Sequence, residues 1–169
     1  MVTIDFIAAK PNDDTLVAGL SNPNQINAFA YGQDVLVGSA MQENENKKAP
    51  LFDRAKYIGT KENGFVFISG TASIVGEKTI GAGDVKEQTQ VTIQNISDLT
   101  SKENVQSAGV EISKKDYTYL RVYVKQENDF DIVREICKEK YGDIPLLFIK
   151  ADICRDNLLV EVEGEIQLS

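Results

Sequence analysis

Hydrophobic and polar positions alternate along most of the first fifty residues, which is the pattern of half-buried β-strands. Turn-forming sequences such as KPNDD and SNPNQ separate the apolar runs. These runs predict short strands over residues 2–9, 14–21, 26–32 and 34–41, followed by an exposed polar loop over residues 41–50. The N-terminal part is therefore expected to form a β extension.

Further along the chain, strands and helices are expected to alternate. Residues 52–60 and 64–73 are two β-rich segments joined by TKENG, which predicts a hairpin. The segment 116–125 is β-branched and aromatic, and it predicts another strand. The last two apolar segments, 146–153 and 157–166, predict a second hairpin across CRDN.

Two segments of this second part have helical periodicity. Asp84 and Glu87 form a capping-box pattern that predicts the start of a helix, and apolar residues follow at helical spacing as far as Leu99. A second helix is predicted over residues 129–141, ending at Gly142.

The order of these elements is ββαβαββ, which predicts an α+β fold with a mixed sheet and two helices on one face. We divide the chain into an N-terminal β extension, residues 1–49, and a main domain, residues 50–169. A chain of 169 residues is long enough to bury a hydrophobic core.

Charge and composition argue against several classes of partner and compartment. The net charge of −8 does not suit a nucleic-acid or anionic-membrane surface, which needs clustered Lys and Arg. No apolar run approaches the roughly 20 residues of a membrane span, and the N-terminus lacks the charged and apolar segments of a secretory signal. With only two cysteines, the chain is expected to be a reduced, cytoplasmic protein.

The chain contains no histidine. Histidine is the commonest general base and a frequent metal ligand, so its absence excludes catalytic triads, dyads and zinc sites that depend on it. Any catalysis must use carboxylates, Lys, Tyr, Cys, backbone amides or water. No motif indicates a metal or an organic cofactor.

The final strand carries a pair of candidate carboxylates. Glu161 and Glu163 share one face because strand side chains alternate, and Leu158, Val160 and Val162 then form the buried set. A solvated acidic face is the simpler interpretation. If a neighbouring subunit covers this face, a desolvated carboxylate would have a raised pKa and could act as an acid.

Arginine and cysteine supply the other candidates. Arg54 and Arg121 lie within strand patterns, where each is either solvated or recognises a carboxylate. Cys154 stands next to Arg155, whose charge would lower the pKa of the thiol. A packing thiol is the alternative for Cys154, and Cys137, on the apolar stripe of the second predicted helix, is expected in the core.

Three motifs, in this order, resemble the Rid (YjgF-like, L-PSP endoribonuclease) superfamily: VFISG at 66–70, GDVKEQT at 83–89 and LLVEVEG at 158–164. The resemblance covers about residues 50–168. It implies a Rid/YjgF-like (chorismate-mutase-like) domain that forms a homotrimer with pockets between subunits. The acidic face of the last strand would then line an intersubunit cleft.

The similarity is closer to one branch of this superfamily, the chorismatases. It rests on NPNQINAFAY at 22–31, FDRA at 52–55, SGTASIVG at 69–76, LRVYVK at 120–125 and ADICRDNLLVEVEG at 151–164. By this similarity, Glu161 would protonate the enolpyruvyl group of chorismate, and Cys154 would occupy the position that distinguishes chorismatase subtypes. Arg54, Arg121 and Arg134 would bind substrate carboxylates, together with Glu163 at the same site.

Two positions differ from the relatives: Leu147 stands where imine-hydrolysing Rid enzymes carry arginine, and Glu77 where chorismatases usually have histidine. Two hypotheses follow. The chain is a chorismatase-like hydrolase or lyase acting on a small carboxylate such as an enol ether, with Glu161 as general acid. Alternatively, it is a non-catalytic Rid-like trimer that binds a small molecule. Endoribonuclease activity fits poorly with the negative charge and the absence of histidine.

Overall fold

The computed structural model describes residues 8–36 and 46–169. Its strands are β1 (Leu16–Leu20), β2 (Ala55–Gly59), β3 (Gly64–Ala72), β4 (Ile74–Val75), β5 (Lys78–Thr79), β6 (Lys115–Val124), β7 (Leu146–Lys150) and β8 (Val160–Leu168). Its helices are α1 (Val85–Leu99), α2 (Lys102–Ser107) and α3 (Phe130–Tyr141). The strands predicted over residues 2–9 and 34–41, and the first half of the predicted loop 41–50, lie mainly outside the described residues.

Six of the described strands form one mixed sheet in the order β1-β2-β3-β8-β6-β7. Each neighbouring pair is antiparallel except β6 and β7, which are parallel. Strands β4 and β5 form a separate small hairpin. The predicted α+β fold with a mixed sheet is therefore confirmed.

Helices α1 and α3 pack against each other on one face of this sheet. The core between them includes the fully buried side chains Tyr57, Val66, Ile96, Leu99, Leu120, Val122 and Ile166. Along β8, Val160 and Val162 point into this core, while Glu161 and Glu163 are half-buried on the opposite face. The alternation in the sequence therefore separates a core face from an open face of the sheet.

The start of α1 is fixed by the predicted cap. Asp84 accepts a hydrogen bond from the Glu87 amide at 3.0 Å. One turn later, the buried Gln88 side chain donates to the carbonyls of Gly81 and Asn157 and accepts from the Leu159 amide at 2.8 Å. This glutamine therefore ties the beginning of β8, and with it Glu161, to the first turn of α1.

The predicted hairpin between residues 146–153 and 157–166 is wrong. Strand β7 pairs parallel with β6, whereas β8 lies on the other side of β6, between β6 and β3. Helix α3 is the crossover connection between β6 and β7, which a parallel pair requires. Because β7 occupies one edge of β6, β8 pairs along the other.

The structure also differs from the sequence-based expectations in two smaller ways. Residues 26–32 do not form a strand but contain a 3-10 turn, Ala28–Ala30, because no neighbouring strand satisfies their backbone in the described residues. Helix α2 was not predicted. It is a short helix capped by Ser101, whose hydroxyl accepts from the Asn104 amide at 3.2 Å.

The N-terminal extension is built into the same sheet through β1, which pairs with β2. The chain then crosses the β4–β5 hairpin, where the Gly76 amide donates to Asn24 at 2.7 Å and the Ile26 amide donates to Gly76 at 2.9 Å. None of the described helices is long and apolar enough to span a membrane.

Candidate active site

A cavity of about 300 Å³ lies where the N-terminal extension, the end of β3 and the loop before β8 meet. Its polar and charged lining consists of Tyr31, Arg54, Ser69, Asp152, Cys154, Arg155 and Glu161. Its apolar lining includes Phe52, Ala72, Ile74, Ile153 and Leu158. An apolar hollow with a few converging polar groups is the usual form of a small-molecule site.

Glu161 faces this cavity from β8. Its neighbours across the sheet are Ala72 in β3 and Tyr123 in β6. Burial raises the pKa of its carboxyl group, and the nearby negative charge of Glu163 raises that pKa further. A half-buried glutamate with a raised pKa is suited to act as a general acid.

A register shift between Ile68 and Thr71 interrupts the pairing of β3 with β8 beside Glu161. The intervening Ser69 is held by the segment just before β2, because its amide donates to the Arg54 carbonyl at 3.1 Å and its hydroxyl donates to the Asp53 carbonyl at 2.7 Å. This irregularity opens the sheet at the place where the cavity reaches the carboxylate.

Arg54 enters the cavity wall from just before β2 and is only 3% exposed. Its Nη2 donates to the Ile26 carbonyl and to the Tyr31 hydroxyl, both at 2.6 Å. Its Nε is buried and has no hydrogen-bond partner in the described part of the chain. The guanidinium therefore has bonding capacity left for a ligand.

Arg155 approaches the same tyrosine from the loop before β8 and is 9% exposed. Its Nη1 donates to the Glu77 carbonyl at 2.7 Å, and its guanidinium carbon lies 4.9 Å from the centre of the Tyr31 ring. Its Nη2 is buried without a hydrogen-bond partner among residues 8–36 and 46–169. Tyr31 is thus in contact with two guanidinium groups.

Neither Arg54 nor Arg155 forms an ion pair with a carboxylate of the described residues. A buried cation is costly unless it is paired. Two such cations with unused N–H groups at one cavity therefore favour an anionic ligand, for which the planar guanidinium fork is well shaped. The described residues also contain no cluster of three His, Cys, Asp or Glu side chains that could hold a metal.

Cys154 lines the same cavity, and Arg155 lowers the pKa of its thiol as expected, but other effects are larger. The pKa of its thiol is raised, not lowered, because partial burial and the charge of Glu161 together outweigh the opposing effect of Arg155. A thiol with a raised pKa is a poor nucleophile at neutral pH. Cys137 lies in the core as expected.

Arg121 and Glu163 lie beside the cavity, on the open face of the sheet. The Nε of Arg121 forms an ion pair with Glu163 Oε1 at 2.8 Å, and the Tyr123 hydroxyl donates to the same oxygen. Burial and Glu163 raise the pKa of Tyr123 to about 12. Arg121, Glu163 and Tyr123 therefore place charged and polar groups next to Glu161, but none of the three lines the cavity.

Arg134 does not line this cavity. It lies on α3, pairs with Asp131 at 2.7 Å and packs over the ring of Phe148. The structure therefore brings together three of the predicted site residues, Glu161, Cys154 and Arg54. It adds Tyr31 and Arg155, which were not predicted as site residues, although both lie within motifs that carry the resemblance, at 22–31 and 151–164.

The fold and the cavity define a small α+β protein with an acidic group and two cations at one site. No protein-family model matches the chain. It is 34% identical over 153 residues to 3-hydroxybenzoate synthase of Streptomyces hygroscopicus (86% of this chain, 42% of the relative). It is 32% identical over 168 residues to a chorismatase of Streptomyces rapamycinicus (96% of this chain, 46% of the relative). It is 30% identical over 125 residues to a RutC family protein of Pyrococcus horikoshii (71% of this chain, 90% of the relative).

Solved structures agree with these relatives. A chorismatase crystal structure at 1.08 Å matches with a TM-score of 0.80 and 31% identity, over 89% of this chain and 44% of that chain. A putative endoribonuclease of Thermotoga maritima matches with a TM-score of 0.53 and 19% identity, over 71% of this chain and 87% of the endoribonuclease chain. This match supports the fold alone.

The chain belongs to the RutC family of Rid/YjgF-like proteins, and chorismatases are among its homologues. It spans less than half the length of the curated chorismatase relatives that it matches.

Proposed function

We propose that the chain is a chorismatase-like enzyme that acts on a small carboxylate such as an enol ether, with Glu161 as the general acid. The observation that carries this proposal is the position of Glu161 in a cavity that also holds two buried guanidinium groups. The similarity to chorismatases supports the same substrate class.

The two arginines account for substrate binding. Within the described residues, the buried Nε of Arg54 and Nη2 of Arg155 have no hydrogen-bond partner. Both guanidinium groups line the cavity, where a substrate carboxylate would pair with their positive charge. The apolar lining, which includes Ile74, Ile153 and Leu158, would pack against the carbon skeleton.

Glu161 accounts for the chemistry. Its raised pKa keeps the carboxyl group protonated to a higher pH than an ordinary glutamate. The acid would transfer its proton to the terminal CH₂ carbon of the enol ether, whose double-bond electrons form the new C–H bond and leave an oxocarbenium ion. Water adds to that ion and returns a proton to Glu161. The hemiketal then collapses to a keto acid and an alcohol.

The open face of the sheet is the proposed subunit interface. It carries half-buried charged groups, among them Glu161, Glu163 and Arg121, which a neighbouring copy would cover. We infer a cytoplasmic homotrimer in which the cavity opens at an interface between subunits. A molar mass of three chains, measured by light scattering at micromolar concentration, is the expected result. A monomer would contradict it.

A non-catalytic, small-molecule-binding trimer is the second candidate. Its similarity to two RutC family proteins, of which it covers 79% and 90%, supports a Rid-like protein of this kind. The two functions differ in the effect of Glu161→Gln. In an enzyme this substitution abolishes chorismate turnover while calorimetry still detects binding. In a binding protein no turnover is seen with either form, and only the affinity changes.

A further inference from the structure

The cavity wall that carries Tyr31 is not part of the main sheet. In the described part of the chain, residues 22–36 contain one 3-10 turn and one isolated bridge, between Gln25 and Gly76. A segment with so little regular structure is positioned by individual hydrogen bonds. The bonds that fix Tyr31 are therefore of direct importance to the site.

Glu77, in the turn between β4 and β5, makes one of these bonds. Its Oε2 accepts from the amide of Gly32 at 2.8 Å, directly after Tyr31 in the chain. A hydrogen bond between an amide and a carboxylate is stronger than one between neutral groups. The adjacent residue, Gly76, holds the earlier part of the same segment through Asn24 and Ile26.

The main chain of Glu77 makes a second contact with the site. Its carbonyl oxygen accepts from Nη1 of Arg155 at 2.7 Å. The same residue therefore holds both members of the stacked pair formed by Arg155 and Tyr31, whose guanidinium carbon and ring centre are 4.9 Å apart. Glu77 itself does not line the cavity.

We propose that Glu77 is a positioning residue: its carboxylate holds Tyr31 and its carbonyl holds Arg155, so that the cation-bearing wall of the cavity is formed before a ligand binds. The effect on substrate rests on the proposed function, whereas the effect on the wall does not. Removal of the carboxylate should loosen the wall and weaken substrate binding, while the acid step on Glu161 remains.

Three variants separate the carboxylate from the rest of the turn. Glu77→Ala removes the acceptor, Glu77→Gln keeps an oxygen that can accept from Gly32, and Lys78→Ala changes the exposed neighbouring side chain of the same hairpin. Backbone hydrogen exchange of residues 27–33 is measured by mass spectrometry, with residues 93–99 of α1 as the internal reference.

We expect residues 27–33 to exchange about tenfold faster in Glu77→Ala, as the loss of one charge-assisted hydrogen bond implies, with α1 unchanged. Lys78→Ala should exchange at the wild-type rate, and Glu77→Gln at a rate between wild type and Glu77→Ala, because its amide oxygen is a weaker, neutral acceptor. In chorismate turnover, Glu77→Ala should raise KM about tenfold and change kcat much less.

Unchanged exchange in Glu77→Ala, or equally fast exchange in Glu77→Gln, would overturn the proposal. A larger loss in kcat than in KM would also count against it, because the carboxylate would then act in the chemical step. If the wild-type protein neither binds nor turns over chorismate, the proposed function fails and hydrogen exchange alone decides the role of Glu77.

Discussion

The carboxylate of Glu161 packs directly against the backbone of Gly70, across the register shift between β3 and β8. A Cβ added at Gly70 would lie 2.9 Å from the carboxyl carbon of Glu161 and would overlap one of its oxygens. Glycine at this position therefore leaves the space that the proposed acid occupies. The obstructing atoms are the end of a flexible side chain, so a larger residue would move the carboxylate and leave the fold intact.

Gly70→Ala should therefore reduce turnover much more than stability. Displacing a catalytic group by about 1 Å costs on the order of 100-fold in rate. We expect a loss of that order in kcat and a melting temperature within about 2 °C of the wild type. The two quantities are measured on the same preparation. Full activity combined with a large drop in melting temperature would show that Gly70 serves the fold and not the acid.

Glu163 should control the pH range over which Glu161 is protonated. Burial raises the pKa of Glu161 first, and the charge of Glu163 adds to that effect. The rate should fall as pH rises through this pKa, because only the protonated form can donate. Glu163→Gln removes the repulsion, so the falling limb of kcat/KM should move to lower pH but stay above the ordinary value of 4.5. A limb that stays in place or moves upward would contradict this coupling.

Glu161→Gln should stabilise the protein at neutral pH. The folded-state pKa of Glu161 is raised, so wild-type stability is lost as pH rises from the ordinary value of 4.5 through the folded pKa. Glutamine does not ionise and avoids this loss. Thermal unfolding between pH 4 and pH 8 should show a higher melting temperature for Glu161→Gln at pH 7 and near-equal values at pH 4. A variant that is less stable at both pH values would exclude a desolvated carboxylate.

Arg155 should act in binding more than in catalysis. Arg155→Met removes one of the two guanidinium groups at the cavity, so we expect KM for chorismate to rise at least about tenfold, with a smaller change in kcat. Lys150→Met is the matched control, because it removes an exposed cation paired with Glu127 outside the cavity. An equal effect of both variants would show that net charge matters and that the position of Arg155 does not.

Local signals in the sequence predict the local parts of this fold well. The Asp84 cap, the end of α3 at Gly142 and the alternation along β8 all depend on residues close together in the chain. The pairing of β7 does not. Two adjacent β-rich segments suggest a hairpin, but α3 returns the chain parallel to β6, and only the packed sheet decides which edge each strand takes.

The candidate site shows the same difference between residues that local sequence motifs identify and residues that only long-range contacts bring in. Glu161, Cys154 and Arg54 were identified from motifs in the main domain, and they line one cavity. Tyr31 joins them from far along the chain, and its position depends on Glu77, 46 residues later, through the bond to Gly32. A contact between segments so far apart in the chain produces no periodic pattern in the sequence. The sign of the pKa shift of Cys154 was likewise unpredictable, because it depends on burial and on Glu161 as well as on neighbouring Arg155.

The most direct test of the proposed function is chorismate turnover by the purified protein, followed through substrate loss and pyruvate release. Wild type, Glu161→Gln and Glu165→Gln are compared, because Glu165 lies on the same face of β8 but does not line the cavity. We predict one pyruvate for each chorismate consumed with wild type and Glu165→Gln, and a loss of at least about 100-fold with Glu161→Gln. Equal rates in wild type and Glu161→Gln, or no turnover by the wild type, would contradict the assignment of Glu161 as the acid of a chorismatase-like enzyme.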